Sequence, residues 1–383
     1  MDEKITKLLF WALGASLDKS QLDYSEKQLY TKEVICELLT LSKAHDMDHL
    51  AYTGLVENGL VSENDQGYKS TVFKAVYRCE NQSYELGALR KLLEENKIPF
   101  IPLKGSILRD YYNEPWQRTS CDIDILVKKE DLEKATDAIV NTLGYSHEYD
   151  TTHDVSLMSP SGVHLELHFE LNEENYRESP LLSDIWQGGE LSKISEYEYS
   201  MSNELFLFFH IYHMAKHFEY GGCGIKPLMD LWIIKNKMSY DEKKTIKMLK
   251  KEGYYKFYEG ALALVGAWFE GKEHTQLTKN MEGYILDGGV YGTAEHNTAM
   301  VQGKEGRTGH LLKRIFMPYK KLKTSYPVLE KWPILYPLFV VVRWFRIIFS
   351  KDRKNAIDEI KQNQSLSKEK RSEAKALLNQ LHL

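Results

Sequence analysis

Two aspartates separated by a single residue are the feature of this sequence best suited to chemistry. They are Asp122 and Asp124, in the segment Asp-Ile-Asp-Ile-Leu-Val. Because successive side chains of a β-strand point to opposite faces, both carboxylates share one face and the isoleucines share the other. Two carboxylates held this close repel each other, and Mg²⁺, which prefers oxygen ligands, relieves that repulsion. The segment therefore indicates a metal-binding strand, and a strand whose aspartates face only water is the alternative.

A second segment, residues 163–171, alternates polar and apolar side chains without interruption. The pattern predicts a strand that buries its apolar face and presents on the other face His164, Glu166, His168 and Glu170. If this strand lies beside the first, Glu166 completes a cluster of three carboxylates that can bind two divalent cations. The alternative is a sheet face that contacts only solvent.

A short glycine loop, Lys104-Gly105-Ser106, follows an apolar segment that predicts a strand over Ile98–Leu103. Glycine allows the backbone to approach an anion closely, and a helix predicted over Ile107–Tyr112 would direct its N-terminal N–H groups towards that anion. The loop therefore suits a triphosphate. A Gly-Ser dipeptide more commonly marks only a turn, and this alternative stays open.

The elements around these segments predict an α+β fold, with a mixed sheet between helical regions. Apolar residues recur at helical spacing over residues 1–82, which predicts an N-terminal helical region. Residues 83–195 form the core with the strands, and a helix from Glu130 to Leu143 that Gly144 ends joins them. Residues 196–383 form a C-terminal helical region, because helical spacing returns at Asn203–Lys237 and continues.

Taken in order, these segments resemble the nucleotidyltransferase fold of the DNA polymerase β superfamily. The more specific resemblance is to the family of uncharacterised nucleotidyltransferases. Its members show a Leu-Lys-Gly loop, an Arg shortly before Asp-Ile-Asp-hydrophobic-Leu-Val, and an acidic-Leu-His-aromatic strand. The corresponding residues of this sequence are Leu103–Gly105, Arg118, Asp122–Val127 and Glu166–Phe169. The resemblance is strong over residues 98–171 and weaker in the flanking helices.

The resemblance implies a metal-dependent nucleotidyltransferase. Such an enzyme moves a nucleoside monophosphate from an NTP to an acceptor hydroxyl, here unidentified, and releases pyrophosphate. By this analogy Asp122 and Asp124 bind Mg²⁺ or Mn²⁺, and Glu166 binds a second metal or acts as a base. The residues expected to bind the nucleotide or its phosphates are Lys104, Gly105, Ser106, Arg118, His168 and Lys216.

Two departures from the family pattern motivate other hypotheses. The interval from Ser106 to Asp122 is longer than usual, and the third carboxylate is Glu166 where Asp is more frequent. The first alternative is therefore a nucleotide-binding regulatory module that has lost catalysis. The second is a zinc-dependent hydrolase that uses His164, Glu166, His168 and further histidines downstream.

Those further histidines are His210, His213 and His217, which helical spacing places on one face. The resembled family also carries His and Lys on the helix after its core, which implies a pocket wall where Lys216 meets phosphate. Packed or surface histidines and a zinc site are the alternatives. Asp230 is expected either to support this helix or to lie at the surface.

Composition limits the partners and the location of the protein. The chain has 383 residues, of which 43% are hydrophobic and 27% charged, as in a globular protein. A net charge of −5 gives no reason to expect a nucleic-acid partner. Four widely spaced cysteines and an N-terminus unlike a secretory signal favour a cytoplasmic location. Basic residues followed by an apolar run over residues 304–349 suggest weak peripheral contact with a membrane, against the alternative of a solvated helix before a core helix.

Overall fold

The computed structural model of the chain describes residues 2–173, 176–290, 292–293, 295–304, 316–349 and 367–383. Two compact units make up the chain. The first contains Met1–Lys216 and Ile225–Thr278, and the second contains His217–Gly224 and Lys279–Leu383. The loop, both aspartates and Glu166 all belong to the first unit.

The first unit begins with helices, as the spacing of apolar residues predicts. They are α1 (Glu3–Asp18), α2 (Tyr24–Lys27), α3 (Lys32–Ala44), α4 (Asp48–Glu57) and α5 (Gln66–Glu95). Asp65 caps the N-terminus of α5, because its carboxylate accepts a hydrogen bond from Tyr68 N at 3.0 Å. The 30 residues of α5 run without a break.

A five-stranded mixed sheet follows, with the order β1-β2-β5-β4-β3. Its strands are β1 (Phe100–Pro102), β2 (Asp122–Val127), β3 (Ser146–Asp150), β4 (Asp154–Met158) and β5 (His164–His168). Strands β2 and β5 pair in parallel, and the other neighbours pair antiparallel. A mixed sheet between helices confirms the predicted α+β class.

One face of this sheet forms the hydrophobic core of the first unit. Ile123 and Ile125 of β2 and Leu165 and Leu167 of β5 are buried in one cluster with residues of α5. The helix α7 (Leu132–Leu143) covers the same face, and Gly144 ends it with a φ of 72°. Because side chains alternate along a strand, Asp122, Asp124 and Glu166 lie on the opposite face.

The second predicted strand is shorter in the structure than residues 163–171. Strand β5 ends at His168, because Phe169 N and Glu170 N donate to His153 O instead of continuing the ladder. Glu170 therefore does not extend the polar row of the strand. The β3–β4 hairpin was not predicted from the sequence, since the five residues of β3 are all exposed and mainly polar.

Short elements and helices complete the first unit. They are α6 (Gly105–Leu108), α8 (Pro180–Ser183), α9 (Ile185–Gly188), β6 (Leu191–Lys193), β7 (Tyr199–Met201), α10 (Asn203–Glu219), α11 (Lys226–Lys237), α12 (Glu242–Lys251), α13 (Tyr255–Phe269) and α14 (Gln276–Gly288), the ends of α10 and α14 belonging to the second unit. Helical turns of the 3₁₀ type occupy Arg109–Tyr111, Pro115–Gln117 and Lys129–Asp131. The helix predicted over Asn203–Lys237 is thus two helices, α10 and α11.

The described part of the second unit is helical. Beyond α14 it contains residues 295–304, Tyr319–Ser325, Val328–Lys331, Tyr336–Phe349 and Lys368–Leu381, with a 3₁₀ turn at Pro333–Leu335. Exposed apolar side chains include Trp332, Ile334, Leu338, Val341 and Phe345. No helix in the described part of the chain has the length and apolar character that a membrane span requires.

Peripheral membrane contact through residues 304–349 stays a prediction. Arg307, Lys313 and Arg314, on which it partly depends, lie outside the described residues.

Two helical glycines provide a test of the packing in the first unit. A Cβ on Gly54 of α4 would lie 2.0 Å from Ala12 O of α1, whereas a Cβ on Gly87 of α5 would meet nothing within 4 Å. We expect Gly54→Ala to lower the free energy of unfolding by about 1–3 kcal/mol, because the two helices must separate. Gly87→Ala should raise it by up to about 1 kcal/mol, because alanine favours the helix. Urea unfolding of the full chain measures both, and equal effects would contradict this packing.

Candidate active site

The strands that carry the predicted carboxylates lie side by side. In the parallel ladder Asp122 pairs with His164, and Asp124 pairs with Glu166. The metal-ligating atoms of Asp124, Glu166 and His168 all lie within 4.8 Å of one another. The pairing of β2 with β5 thus brings Asp124 and Glu166 together and adds an imidazole to them. Among the described residues, two groups of three side chains have ligand atoms close enough together to bind one metal ion, and we call them metal-sized groups. Asp122 precedes Asp124 on β2 and belongs to neither group.

The Asp124 carboxylate is almost completely buried, with 4% of its side chain exposed. Its Oδ1 accepts hydrogen bonds from Lys104 Nζ at 2.8 Å and from His168 Nε2 at 2.9 Å. Burial alone would raise the pKa of this carboxyl, but Lys104 and His168 together hold it well below its usual range. Asp124 therefore stays ionised inside the protein.

The two cations beside Asp124 are held in their charged forms by the same contacts. Burial lowers the pKa of His168, but hydrogen bonds to Asp124 and Glu166 outweigh burial and raise it to about 9. Burial likewise opposes the charge of Lys104, and the neighbouring carboxylates raise its pKa above the ordinary value. Each positive charge of this group therefore lies beside a carboxylate.

Asp122 has the opposite electrostatic environment. Burial and the nearby Asp124 carboxylate raise its pKa to about 6, against the opposing effects of Lys104 and Arg118. A buried carboxylate that is costly to ionise beside another carboxylate is stabilised by a divalent cation. Asp122, Asp124 and Glu166 supply the hard oxygen donors that Mg²⁺ and Mn²⁺ prefer, so these residues fit such a metal.

The loop before the aspartates places Lys104 through an unusual backbone conformation. Lys104 has a φ of 44°, in the left-handed region that favours glycine. Gly105 has a different constraint, since a Cβ there would lie 3.3 Å from both Cβ and Oγ of Ser120. The following helix, α6, is only four residues long and continues as a 3₁₀ turn, so it is shorter than the predicted Ile107–Tyr112 helix and begins earlier. Ser106 N donates to Leu103 O within the turn.

Arg118 is fixed by a buried ion pair with Asp230 of α11. Its Nε lies 2.8 Å from Asp230 Oδ1, and its Nη2 lies 2.8 Å from Asp230 Oδ2. Tyr112 Oη donates to the same Oδ1 at 2.8 Å. Burial lowers the pKa of Arg118, but Asp230 more than restores it, so the guanidinium stays charged. Asp230 is buried, so it does not lie at the surface; its hydrogen-bond partners are Arg118 and Tyr112, and its predicted support of the helix that carries the histidines stays a prediction.

Lys216 and the histidines of α10 have separate partners. Lys216 Nζ donates to the Glu173 carboxylate. His210 Nε2 lies 2.9 Å from Pro227 O, and His164 Nε2 lies 2.6 Å from Ser156 Oγ. Neither metal-sized group of the described residues includes His164 or any histidine of the 210, 213, 217 series. The histidines named for a zinc hydrolase are therefore not brought together.

A polar network under β2 was not predicted from the sequence. Gln82 of α5 is buried, and its Nε2 donates to Ser120 O at 3.0 Å and to Asp122 O at 3.3 Å. Arg109 Nη2 donates to Gln82 Oε1 at 2.8 Å. The network holds the backbone of the first aspartate against α5. Its only sequence signal is a glutamine on the apolar side of a helix.

The profile of the uncharacterised nucleotidyltransferases matches residues 32–270 of this chain. The chain belongs to this family. The match spans the helices α3–α13 and the whole sheet, so it includes every residue proposed for the site. No curated protein matches the chain.

Two solved structures show weak similarity to this nucleotidyltransferase family member. The antibiotic-resistance factor ANT(2'')-Ia, determined in solution, is 13% identical, with a TM-score of 0.35 over 51% of this chain and 100% of that chain. An antigenic nucleotidyltransferase-like protein from Paracoccidioides brasiliensis is also 13% identical, with a TM-score of 0.29 over 50% of this chain and 92% of that chain. The family assignment depends on neither of them.

The Arg118–Asp230 pair gives a stability prediction. We expect Asp230→Ala to lower the free energy of unfolding by about 3–5 kcal/mol, because it leaves a buried guanidinium without its counter-charge. Urea unfolding of the full chain measures the change. The matched control is Glu259→Gln, which breaks the exposed Lys256–Glu259 pair and should have little effect.

A double variant separates charge from packing at the same place. Arg118→Met combined with Asp230→Leu leaves no unpaired charge and should be more stable than Asp230→Ala alone. An Asp230→Ala effect no larger than that of Glu259→Gln would contradict the proposed importance of the pair.

Proposed function

We propose that this family member is a metal-dependent nucleotidyltransferase that moves a nucleoside monophosphate from an NTP to an acceptor hydroxyl, with release of pyrophosphate. The observation that carries the proposal is the close approach of Asp124 and Glu166 on adjacent parallel strands, with Asp122 on the same face. Membership of the nucleotidyltransferase family supports the reaction type. The acceptor is not specified by either observation.

Asp122, Asp124 and Glu166 would hold Mg²⁺ or Mn²⁺. When bound, the metal would stabilise negative charge on the triphosphate and on the attacking oxygen. Lys104 and His168 both donate to Oδ1 of Asp124, which orients this carboxylate and keeps it ionised. The Glu166 side chain is 26% exposed and remains accessible from solvent, which suits a group that accepts the proton of an acceptor hydroxyl.

Phosphate binding is proposed for Lys104, Gly105, Ser106 and His168, which lie at or beside the carboxylates. Arg118 and Lys216 are proposed as further phosphate ligands, and each of them, like Lys104, is paired with a carboxylate in this structure. Contact between either cation and a phosphate would require that ion pair to open. Opening the ion pair costs less free energy for Lys216 than for Arg118. Lys216 donates one hydrogen bond to Glu173, whereas Asp230 holds Arg118 bidentately.

Calorimetric titration of each NTP with Mg²⁺, followed by an assay for pyrophosphate, tests this proposal. We expect Asp122→Asn and Asp124→Asn to weaken metal-dependent NTP binding by at least about 10-fold, because each removes a negatively charged ligand. Asp137→Asn, which neutralises an exposed carboxylate of α7, is the matched control and should bind as wild type does.

The outcomes distinguish this function from its main alternative. Metal-dependent binding together with pyrophosphate formation supports a nucleotidyltransferase. Binding of NTP without turnover, across a panel of small-molecule, saccharide and protein hydroxyl acceptors, favours a regulatory module that has lost catalysis. Unchanged binding in both aspartate variants would overturn the proposed site.

Glu166 gives a separate kinetic prediction. Shortening it in Glu166→Asp withdraws the carboxylate by about one C–C bond, and misplacement by about 1 Å costs on the order of 100-fold in rate. We expect kcat to fall by about that factor with little change in KM for the NTP. The kcat of Glu166→Gln, which keeps the length of the side chain and loses its charge, should decrease by at least the same factor. An active Glu166→Asp enzyme as fast as wild type would show that the longer side chain has no positioning role.

A further inference from the structure

Beside the carboxylates lies a second group of potential ligands, in which His168 is joined by two residues that the proposed function does not use. The metal-ligating atoms of His153, Asp154 and His168 all lie within 4.8 Å of one another. Strand pairing explains why they meet, because Asp154 of β4 lies opposite His168 of β5 in the antiparallel ladder. His153 precedes Asp154 and its ring stacks over that of His168, with centroids 6.1 Å apart.

Each of the two histidines has a polar contact through one of its ring nitrogens. His168 Nε2 lies 2.9 Å from Asp124 Oδ1 and 3.4 Å from Glu166 Oε2. Carboxylates only accept hydrogen bonds, so Nε2 carries a proton, and a metal that binds Nδ1 takes the place of the second proton of the imidazolium. An imidazole that donates one N–H to a carboxylate and offers its other nitrogen to a metal is the usual arrangement of a histidine ligand.

His153 shows the corresponding arrangement with the other nitrogen. Its Nδ1 lies 3.2 Å from Thr151 Oγ1, and that hydroxyl donates its proton to the Asp154 carboxylate. The same hydroxyl accepts from His153 N at 3.2 Å and from Asp154 N at 3.1 Å, so its lone pairs serve the backbone, and Nε2 is the ring nitrogen that lies beside the carboxylates. His153 Nε2 lies 3.9 Å from Asp154 Oδ1 and 3.7 Å from the Glu173 carboxylate, which also binds Lys216. Thr151 thus orients both His153 and Asp154.

The backbone fixes this group as firmly as it fixes the carboxylates. Phe169 N donates to His153 O at 2.9 Å, and Thr151 N donates to Asp154 O at 2.9 Å. Asp154 and His168 are both buried, and His153 is partly exposed at the end of the hairpin. A cation can therefore reach the group from solvent without unfolding the sheet.

We propose that His153, Asp154 and His168 form a second metal site, selective for a divalent transition metal of the Zn²⁺ or Co²⁺ type. Two imidazoles and one carboxylate suit such borderline cations, whereas Mg²⁺ prefers oxygen ligands alone. His168 connects this site to the first, because its ring bridges the new metal and the Asp124 carboxylate. The proposal does not require nucleotidyl transfer, since its test is metal binding in the absence of NTP.

The test uses Co²⁺ alone as the probe, because its visible absorption reports nitrogen ligation and coordination number. Wild-type full-length protein, titrated at a pH of about 8 where histidine ligands deprotonate readily on metal binding, should develop a visible band that saturates at one equivalent. We expect His153→Gln to weaken this binding by at least about 10-fold. We expect Asp154→Asn to weaken Co²⁺ binding by a similar factor, while its side-chain oxygen still accepts the hydrogen bond from Thr151. Zn²⁺ should displace the bound Co²⁺, and Mg²⁺ in large excess should not.

Two control variants locate the metal. His147→Gln removes an exposed histidine of the same hairpin and should leave the band unchanged. Asp122→Asn alters the first site and should also leave it unchanged. Far-UV circular dichroism and thermal unfolding confirm that each variant is folded. The proposal is overturned if wild type gives no band, if the band survives in His153→Gln, or if it is lost in Asp122→Asn.

Discussion

The central constraint in this protein is the burial of the Asp124 carboxylate. An isolated charge in the interior is strongly unfavourable, and Asp124 is tolerated there only because Lys104 and His168 both donate to one of its oxygens. Each partner comes from a different part of the chain, the loop after β1 and the end of β5. The position of the loop, the register of β2 with β5 and the charge of the site are therefore set together.

The strained backbone at Lys104 follows from the same requirement. A non-glycine residue at positive φ is costly, and it persists only where surrounding interactions determine it. Here the ammonium group must reach a buried carboxylate, while Leu103 N donates to the carbonyl of Asp124 and fixes the loop against β2. Gly105 then packs closely against Ser120, which would have to shift slightly to admit a Cβ at this position. The glycine loop is thus shaped by contacts with β2 as well as by any phosphate that it binds.

His168 belongs to both of the inferred sites. Its Nε2 lies beside the carboxylates of Asp124 and Glu166, and the same ring belongs to the group formed with His153 and Asp154 of the hairpin. A cation on one side of the ring would change how strongly the other side donates to Asp124. A metal in the proposed second site would therefore connect the hairpin electrostatically to the candidate active site. The family profile covers both, so the connection lies within the shared domain and not in the second unit.

The sequence by itself determined the local elements and the residues that face together along each of them. The alternation in Asp122–Val127 and in the segment after Val163 sufficed to identify both strands and their carboxylates, because side-chain direction along a strand has a fixed period of two. Helix caps and Gly144 were equally local signals. The α+β class followed from the order of these elements.

Only the tertiary structure decided which partners these residues have. Arg118 was expected at phosphate, but it binds Asp230, which is 112 residues away in the sequence. His153 and Gln82 were not identified, because each acquires its role from a strand or a loop that no local pattern places beside it. The register of β2 with β5 depends on burying both apolar faces at once, and the choice among competing ion pairs depends on which charges become desolvated together. Both depend on residues that lie far apart in the chain, so no short segment of the sequence reveals them.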